Sequence, residues 1–491
     1  PLHPDPILRR AEMVTESLRV HEQIREHFSM NFIKRGPRGV VVAGLLMVLF
    51  SGCDNFFDVE NPASLLDDDL NRPELLATLS HTPEANIAGD VSSLSQRSAL
   101  LADEMLHPST QLENVDAMQG NRLAASSAVE GHWRGLAQSR WLSDEVASKL
   151  ASAGGDPVGL AKAYFFGGLA RILMADHYNV IVYDENDMPR SPISVISDAI
   201  SQFEKAASSA SGSDANLQAA ALGMTARGYR SLYFEEKHLK GNTDLSFMNQ
   251  AETAARNALS ASGNYNQALQ FGAPGGSNSN AFLGGPNGGV NRFDGSVYLF
   301  LPDPVTGNWD PRIPHSVGNV AEATEDMGSE FGLTAVNLKY PEANSEFPMS
   351  RAAEAMLIIA EARLLAGDLT GAVDYINQVR AAARTRVAAT GYAGGASRGW
   401  PPSATTISDL QDFASTDSDA IYAQLKHERQ AEFWLELHRW QDMRYYEIVP
   451  ARWLAPNVAA GMHLRWPPAP EEIAQNENLT IAMTRSVYLG N

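Results

Sequence analysis

Two sets of carboxylates have spacings that could do acid–base work. Glu354 and Glu361 lie seven residues apart, which puts them on one face of a helix, and Glu428, Glu432 and Glu436 recur every four residues. A glycosidase needs two such groups, one to protonate the leaving oxygen and one as nucleophile or base. The same spacing suits ion pairing, with Arg429 three residues before Glu432 and Arg439 three after Glu436. Phe433, Leu437 and Trp440 mark the adjoining apolar face. We therefore read these charges as partly buried locks that hold the last helix against the rest of the fold. Other catalytic patterns are incomplete. His427-Glu428 and His21-Glu22 lack the second histidine of a zinc-protease helix. Gly275-Gly276-Ser277 lacks the closing glycine of a nucleophile elbow. Asp184, Asn186 and Asp187 lack the glycine and final glutamate of a calcium loop. The expectation is no enzyme, no cofactor and no metal.

The single cysteine offers a different chemistry. Cys53 follows the apolar run Val40–Phe50 and Ser51-Gly52, with Lys34, Arg35 and Arg38 ahead of the run. A basic flank, a short apolar stretch of about ten residues and small residues before a cut site make an export signal. The run is too short for a bilayer span, which needs ~20 residues. A cysteine at the cut marks a lipoprotein signal, whose thiol takes a diacylglycerol. Leu49 sits one place early for a standard lipobox, and Phe50 occupies the expected leucine position. Residues 30–52 are the expected signal peptide. Residues 1–29 precede Met30 and are expected to be an upstream extension.

Ligand capture without catalysis calls for aromatic faces among planar polar groups, because rings stack on the apolar faces of sugars while amides, carboxylates and guanidiniums bond hydroxyls. Trp309, Tyr298, Phe293 and Trp400 stand in loop-like sequence with Arg292 and Asp294 among them, and Asn121 and Arg122 occupy another loop. These eight are the candidate ligand-binding residues. Phe271, Phe282 and Phe300 are further loop aromatics. Trp133 and Trp141, eight apart on an expected helix, read as core.

The chain has 491 residues, a net charge of −20, 44% apolar and 20% charged residues. That composition suits a folded globular protein. The acidic balance argues against nucleic acid, which demands a basic footprint. With the only thiol acylated, no disulfide forms. Stability must come from packing.

The elements that must position these residues read as helices. Pro157–Asp176, Ser194–Ser209, Leu217–Phe234, Phe247–Leu259, Met349–Ala366, Leu369–Arg384 and a last one over about Asp419–Tyr446 all show helical periodicity, with no sustained strand alternation. Across Met349–Arg384, Ala353, Met356, Ala360 and Leu364 stripe one helix, and Leu369, Ala372, Val373, Ile376, Val379 and Ala383 the next. Gly367-Asp368 between them makes the two antiparallel neighbours. The run Glu354–Ile376 resembles a tetratricopeptide repeat, a helix–turn–helix of ~34 residues. The earlier helices look like the same unit with longer turns. Repeat helices are expected over about 157–260 and 349–446, with a Gly-, Asn- and Pro-rich region at 264–345 between them. A second Gly/Pro/Ser-rich stretch, Thr390–Thr406, holds Trp400.

With these segments placed, residues 53–491 resemble the SusD/RagB family of outer-membrane nutrient-binding lipoproteins. The resemblance rests on several blocks in order: Asp54–Pro62 after the cysteine, Ala102-Asp103-Glu104, Ala161–Phe166 through Tyr178, Asp310-Pro311-Arg312, Arg351–Arg363 with Ile376–Arg380, the set Glu428, Arg429, Glu432, Glu436, Arg439, Trp440 and Asp442, and Trp466–Ile473 with Asn476 and Leu479. The usual family ending is missing after Thr480, where Ile481 follows. The resemblance implies a mainly α fold with little β, in which tetratricopeptide-like repeats form a right-handed α–α superhelix and long loops bind ligand. It further implies a non-catalytic protein lipid-anchored on the outer face of the outer membrane. There it captures oligosaccharides or peptides and delivers them to a SusC-like TonB-dependent transporter. The competing readings are a tetratricopeptide scaffold that binds only proteins and a secreted α-helical glycoside hydrolase.

Overall fold

A computed structural model describes residues 75, 78–105, 127–184, 187–271, 301–308, 310–313, 315–319, 333–337, 339–340, 344–390, 410–448, 465–466 and 468–479. All of them fall in one unit, Leu70–Asn491. The helices are α1 (Thr82–Leu101), α2 (Ser127–Ala153), α3 (Pro157–His177), α4 (Pro192–Ala210), α5 (Ala215–Lys240) and α6 (Ser246–Ala261), then α7 (Ala352–Leu365), α8 (Leu369–Thr390), α9 (Ser418–Glu432), α10 (Arg439–Tyr445) and α11 (Pro470–Gln475). Four short strands, β1 (Asn266–Leu269), β2 (His315–Asn319), β3 (Leu333–Asn337) and β4 (Phe347–Arg351), complete the described elements.

From α2 to α8 each helix packs on the next in the chain, and α9 then returns onto α7 and α8. Such nearest-neighbour stacking is the signature of a helical repeat. The fold is mainly α and tetratricopeptide-like, as expected. Local chemistry starts and stops the repeats. Asp156, Ser191, Asp214 and Asp417 each cap a helix by accepting a backbone N–H from three residues on. Pro157 and Pro192 begin their helices without losing a needed donor. At the α7–α8 turn Gly367 takes a φ of 83°, and Asp368 accepts from Gly371 N at 2.9 Å.

The core is centred on α3, which is apolar nearly all round and buried along most of its length. Gly168 of α3 lets the Phe203 ring of α4 approach so closely that a Cβ there would lie 2.7 Å from it. Trp133 joins this core edge-on to Tyr178, with ring centroids 4.8 Å apart. Trp141, expected in the core, is instead 52% exposed. Eight residues advance a helix by about 800°, some 80° past two full turns, so the two rings part company.

Three other expectations change. The segment before α7 is the strand β4 rather than helix. The region 264–345 is pinched at its base, because β1 pairs antiparallel with β4 from Asn266↔Arg351 to Leu269↔Phe347. Within the region β2 and β3 pair antiparallel from His315↔Asn337 to Asn319↔Leu333. The expected last helix is two helices, interrupted at residues 433–438, where Leu435 and Leu437 take φ of 59° and 64°.

Candidate ligand-binding site

Between α7, the start of β1 and the segment around Arg312 and Lys339 lies a cleft of about 550 Å³, within the range typical of small-molecule sites. Ala352, Ala353 and Met356 of α7, Ala382 of α8, Pro311 and Pro348 form its apolar walls. Tyr265, Asn264 and Asn266 bring the start of β1 to one side, and Pro311, Arg312 and Lys339 bring the loop-rich region to the other. Its floor is Arg351 between Glu432 and Glu436.

Every charge on that floor is paired. Arg351 donates to Glu432 Oε1 at 2.5 Å, to the Glu432 carbonyl, and with two nitrogens to Glu436 at 2.8–3.0 Å. Lys339 Nζ lies 2.6 Å from Glu436. Burial would depress the Arg351 pKa, but the two carboxylates hold it above the ordinary range. The expected local pairs, Arg429 with Glu432 and Glu436 with Arg439, do not form. Glu436 lies beyond the end of α9, so it no longer shares a helix face with Glu432. Arg429 turns to Asp442 at 2.9 Å and Arg439 to Asp103 at 2.6 Å.

Beside the cleft, the Asp310-Pro311-Arg312 segment is fixed to the repeats. Arg312 forks onto Asp310 and reaches Glu428 at 2.5 Å. Arg380 of α8 bridges the other Glu428 oxygen, at 2.6 Å, to both oxygens of Asp303 at 2.9–3.0 Å. Thus Asp303 and Asp310 are clamped on either side of Trp309 in sequence. Asp303, Asp310 and His427 have ligand atoms within 4.8 Å of one another, a metal-like grouping. The arrangement fits ion pairing instead. Arg380 and Arg312 occupy the carboxylates, and burial that would raise the Asp310 carboxyl is outweighed by Arg312 and the His427 hydrogen bond, which hold it well below the usual range. A cation there would face two guanidiniums.

The carboxylates considered for catalysis are equally committed. Arg227 of α5 forks onto Glu354, both bonds at 2.6 Å. Arg230 bonds Glu361, and Tyr446 donates to the same carboxylate at 2.7 Å. Arg230 also reaches Asp442 at 3.1 Å. All are buried. Carboxylates paired with a guanidinium away from solvent are out of a sugar's reach, so the ion-lock reading holds and its partners are α5 arginines. Sequence reasoning missed Arg227 and Arg230. Their signal is two arginines three apart in an Ala- and Gly-rich helix, where solvent-facing charge would be expected at other positions too.

Trp309, Tyr298, Phe293, Asp294, Arg292, Asn121, Arg122 and Trp400 lie outside the described residues, as do Cys53 and the segments 1–29 and 30–52. Phe271 is described and packs half-buried against the core.

Repeats stacked in chain order from α2 to α8, with a loop-rich insertion pinched between β1 and β4, define a tetratricopeptide-like helical scaffold. The model of the SusD family matches residues 333–489. The fold is similar to a SusD superfamily protein from Bacteroides vulgatus (TM-score 0.61, 14% identity, 82% of this chain and 97% of that one). It is also similar to a SusD/RagB family protein from Bacteroides thetaiotaomicron (TM-score 0.62, 14% identity, 85% and 97%). A third structure, solved with a xylogluco-oligosaccharide, has a TM-score of 0.53 at 15% identity over 78% of this chain and 84% of that one. No curated protein matches in sequence. The chain is SusD-like in fold, and its residues 333–489 carry the SusD family's sequence pattern.

Proposed function

We propose that residues 53–491 form a non-catalytic surface lipoprotein that captures an oligosaccharide, or a peptide, and delivers it to a SusC-like TonB-dependent transporter. In this reading Cys53 carries the lipid that holds the protein on the outer membrane after residues 30–52 are removed. Trp309, Tyr298, Phe293, Asp294, Arg292, Asn121, Arg122 and Trp400 supply stacking faces and hydroxyl partners. The observation that carries the reading is the SusD-like scaffold with its loop-rich insertion clamped at the base by Arg312, Arg380 and the β1–β4 ladder. A rigid frame under a variable loop set is how binding residues are commonly presented. The relative solved with a xylogluco-oligosaccharide supports a glycan as the ligand. The hydrolase reading loses its carboxylates to Arg227 and Arg230.

The test is a calorimetric screen of the mature domain against glycans, xyloglucan fragments included, and peptides, paired with a pull-down from outer-membrane extract. Binding of one class and co-purification of a TonB-dependent transporter are expected. No binding to either class, or retention only of other proteins, would replace the reading with the scaffold alternative.

A further inference from the structure

A second cavity of about 320 Å³ opens between α1 and the first turns of α2. Asp90, Ser93, Gln96, Arg97 and Leu100 of α1 line it with His132 of α2. Two of these groups, the half-buried Asp90 and the nearly buried His132, are not held by an arginine as most of the buried carboxylates are. The carboxylates of Glu354, Glu361, Asp442, Glu235 and Asp103 are each clamped by arginine. Asp90 has no cation among the described residues and receives one long hydrogen bond, 3.4 Å, from Ser139 Oγ. Burial raises its carboxyl to about 6.

His132 is the second. It is 7% exposed and stacks on Trp466, with centroids 6.4 Å apart and planes 17° from parallel. His177 stacks on the same indole, and its two nitrogens are satisfied by Ser98 Oγ at 2.7 Å and the Leu173 carbonyl at 2.8 Å. Neither nitrogen of His132 has a hydrogen-bond partner among the described residues. Burial, with the charge of Arg97, lowers its pKa to about 4, so it is a neutral imidazole with one donor and one acceptor. A ring nitrogen with no protein partner at the wall of a cleft is open to water or to a ligand hydroxyl.

We infer that this cleft is a binding subsite for a neutral polyol about one sugar ring in size, with Asp90 accepting hydroxyl protons and His132 completing its own hydrogen bonds on the same ring. The lining includes an acceptor in Asp90, a donor in Arg97, and Ser93, Gln96 and His132, which can do both, and that mixture matches hydroxyls, since each can donate and accept. A carboxylate ligand would meet Asp90 and an ammonium would meet Arg97. The volume stands at the low end of the ~300–1,000 Å³ seen for small-molecule sites. The residues lie on α1 and α2, so the inference goes beyond the loop site proposed above and does not depend on it.

Gly131 gives a clean block. It borders the cleft, and a Cβ there meets nothing within 4 Å. The experiment is saturation-transfer NMR and calorimetry on the mature domain with glucose, galactose, mannose, xylose and, for contrast, glucuronate. At least one neutral sugar should bind and glucuronate should bind more weakly. Asp90→Asn and Gly131→Phe should each weaken the sugar by about tenfold or more with the melting temperature kept. Trp309→Ala should leave it unchanged. If Asp90→Asn does not fold, Gly131→Phe alone decides. The inference is overturned if no neutral sugar binds, if binding survives Gly131→Phe, or if Trp309→Ala removes it. That last outcome would place the sugar at the loop site and leave the capture reading intact.

Discussion

Glu104, just past the end of α1, accepts the backbone N–H of Leu435 at 2.7 Å across 331 residues of sequence. Leu435 sits in the break between α9 and α10 at a φ of 59°, a conformation that costs a non-glycine residue about 1–3 kcal/mol. Tyr340 Oη donates to the Leu435 carbonyl at 3.3 Å and Lys339 to the Trp434 carbonyl at 2.5 Å. Next to Glu104, Asp103 takes both nitrogens of an Arg439 fork at 2.6–2.7 Å. The Asp103-Glu104 pair therefore holds the strained break in place and turns α10 toward α1.

This contact sets a pH dependence. Burial raises the Glu104 carboxyl to about 8, even with Leu435 N–H bonding it. In the unfolded chain it ionises near 4.5, so between those values the unfolded state gives up a proton that the folded state keeps. Stability from this group is complete below about 4.5 and is lost as pH rises towards 8. Glu104→Gln keeps an acceptor but cannot ionise. Urea denaturation at pH 5, 6.5 and 8 should show the variant gaining on the wild type as pH rises. A constant difference across the three would refute the assignment. Glu104→Ala leaves Leu435 N–H unpaired and should cost about 1–3 kcal/mol.

Arg230 joins α5, α7 and α10 through Glu361, Asp442 and Tyr446. Arg230→Met strands buried carboxylates and should destabilise the protein by about 3–5 kcal/mol, read by denaturant titration. Glu361→Gln should also lower the melting temperature. Wild-type protein should leave a glycan panel uncleaved. Hydrolysis that Glu354→Gln or Glu361→Gln abolishes would restore the glycosidase reading.

Trp309→Ala should weaken capture of the nutrient ligand in calorimetry while leaving the melting temperature unchanged. Its neighbours Asp303 and Asp310 are held by Arg380 and Arg312 whether or not the indole is present. Arg312→Ala, by contrast, should lower stability and ligand affinity together, because it removes the guanidinium that ties Asp310 to Glu428. Intact binding in Trp309→Ala would remove that residue from the site.

Cys53→Ser should move the protein from the membrane fraction to the soluble fraction and remove a lipid-sized mass from the mature chain. Unchanged fractionation would end the lipoprotein assignment.

The repeat pairs were legible because their information is local. Ala353, Ala360, Ala372 and Ile376 recur at helical spacing, and Gly367-Asp368 supplies the turn and cap within two residues. The carboxylates were recognisable as locks for the same reason, since Glu354 and Glu361 share a face wherever the helix goes. Their partners were not. Nothing near Glu432 in sequence points to Arg351, and the nearby Arg429 is drawn instead to Asp442. Ion pairing in a buried interior follows which groups packing leaves within reach, and the break at Leu435 changes that by carrying Glu436 off the helix face. Trp141 reached the surface, and Asp90 and His132 came together between α1 and α2, for a related reason: facing depends on which neighbour covers a helix. Sequence by itself determined the helices from α3 to α8, the turn between α7 and α8 and the family pattern, all written within a few residues. Only the tertiary structure decided which charges meet and where polar groups are left without partners, because those depend on distances between segments hundreds of residues apart.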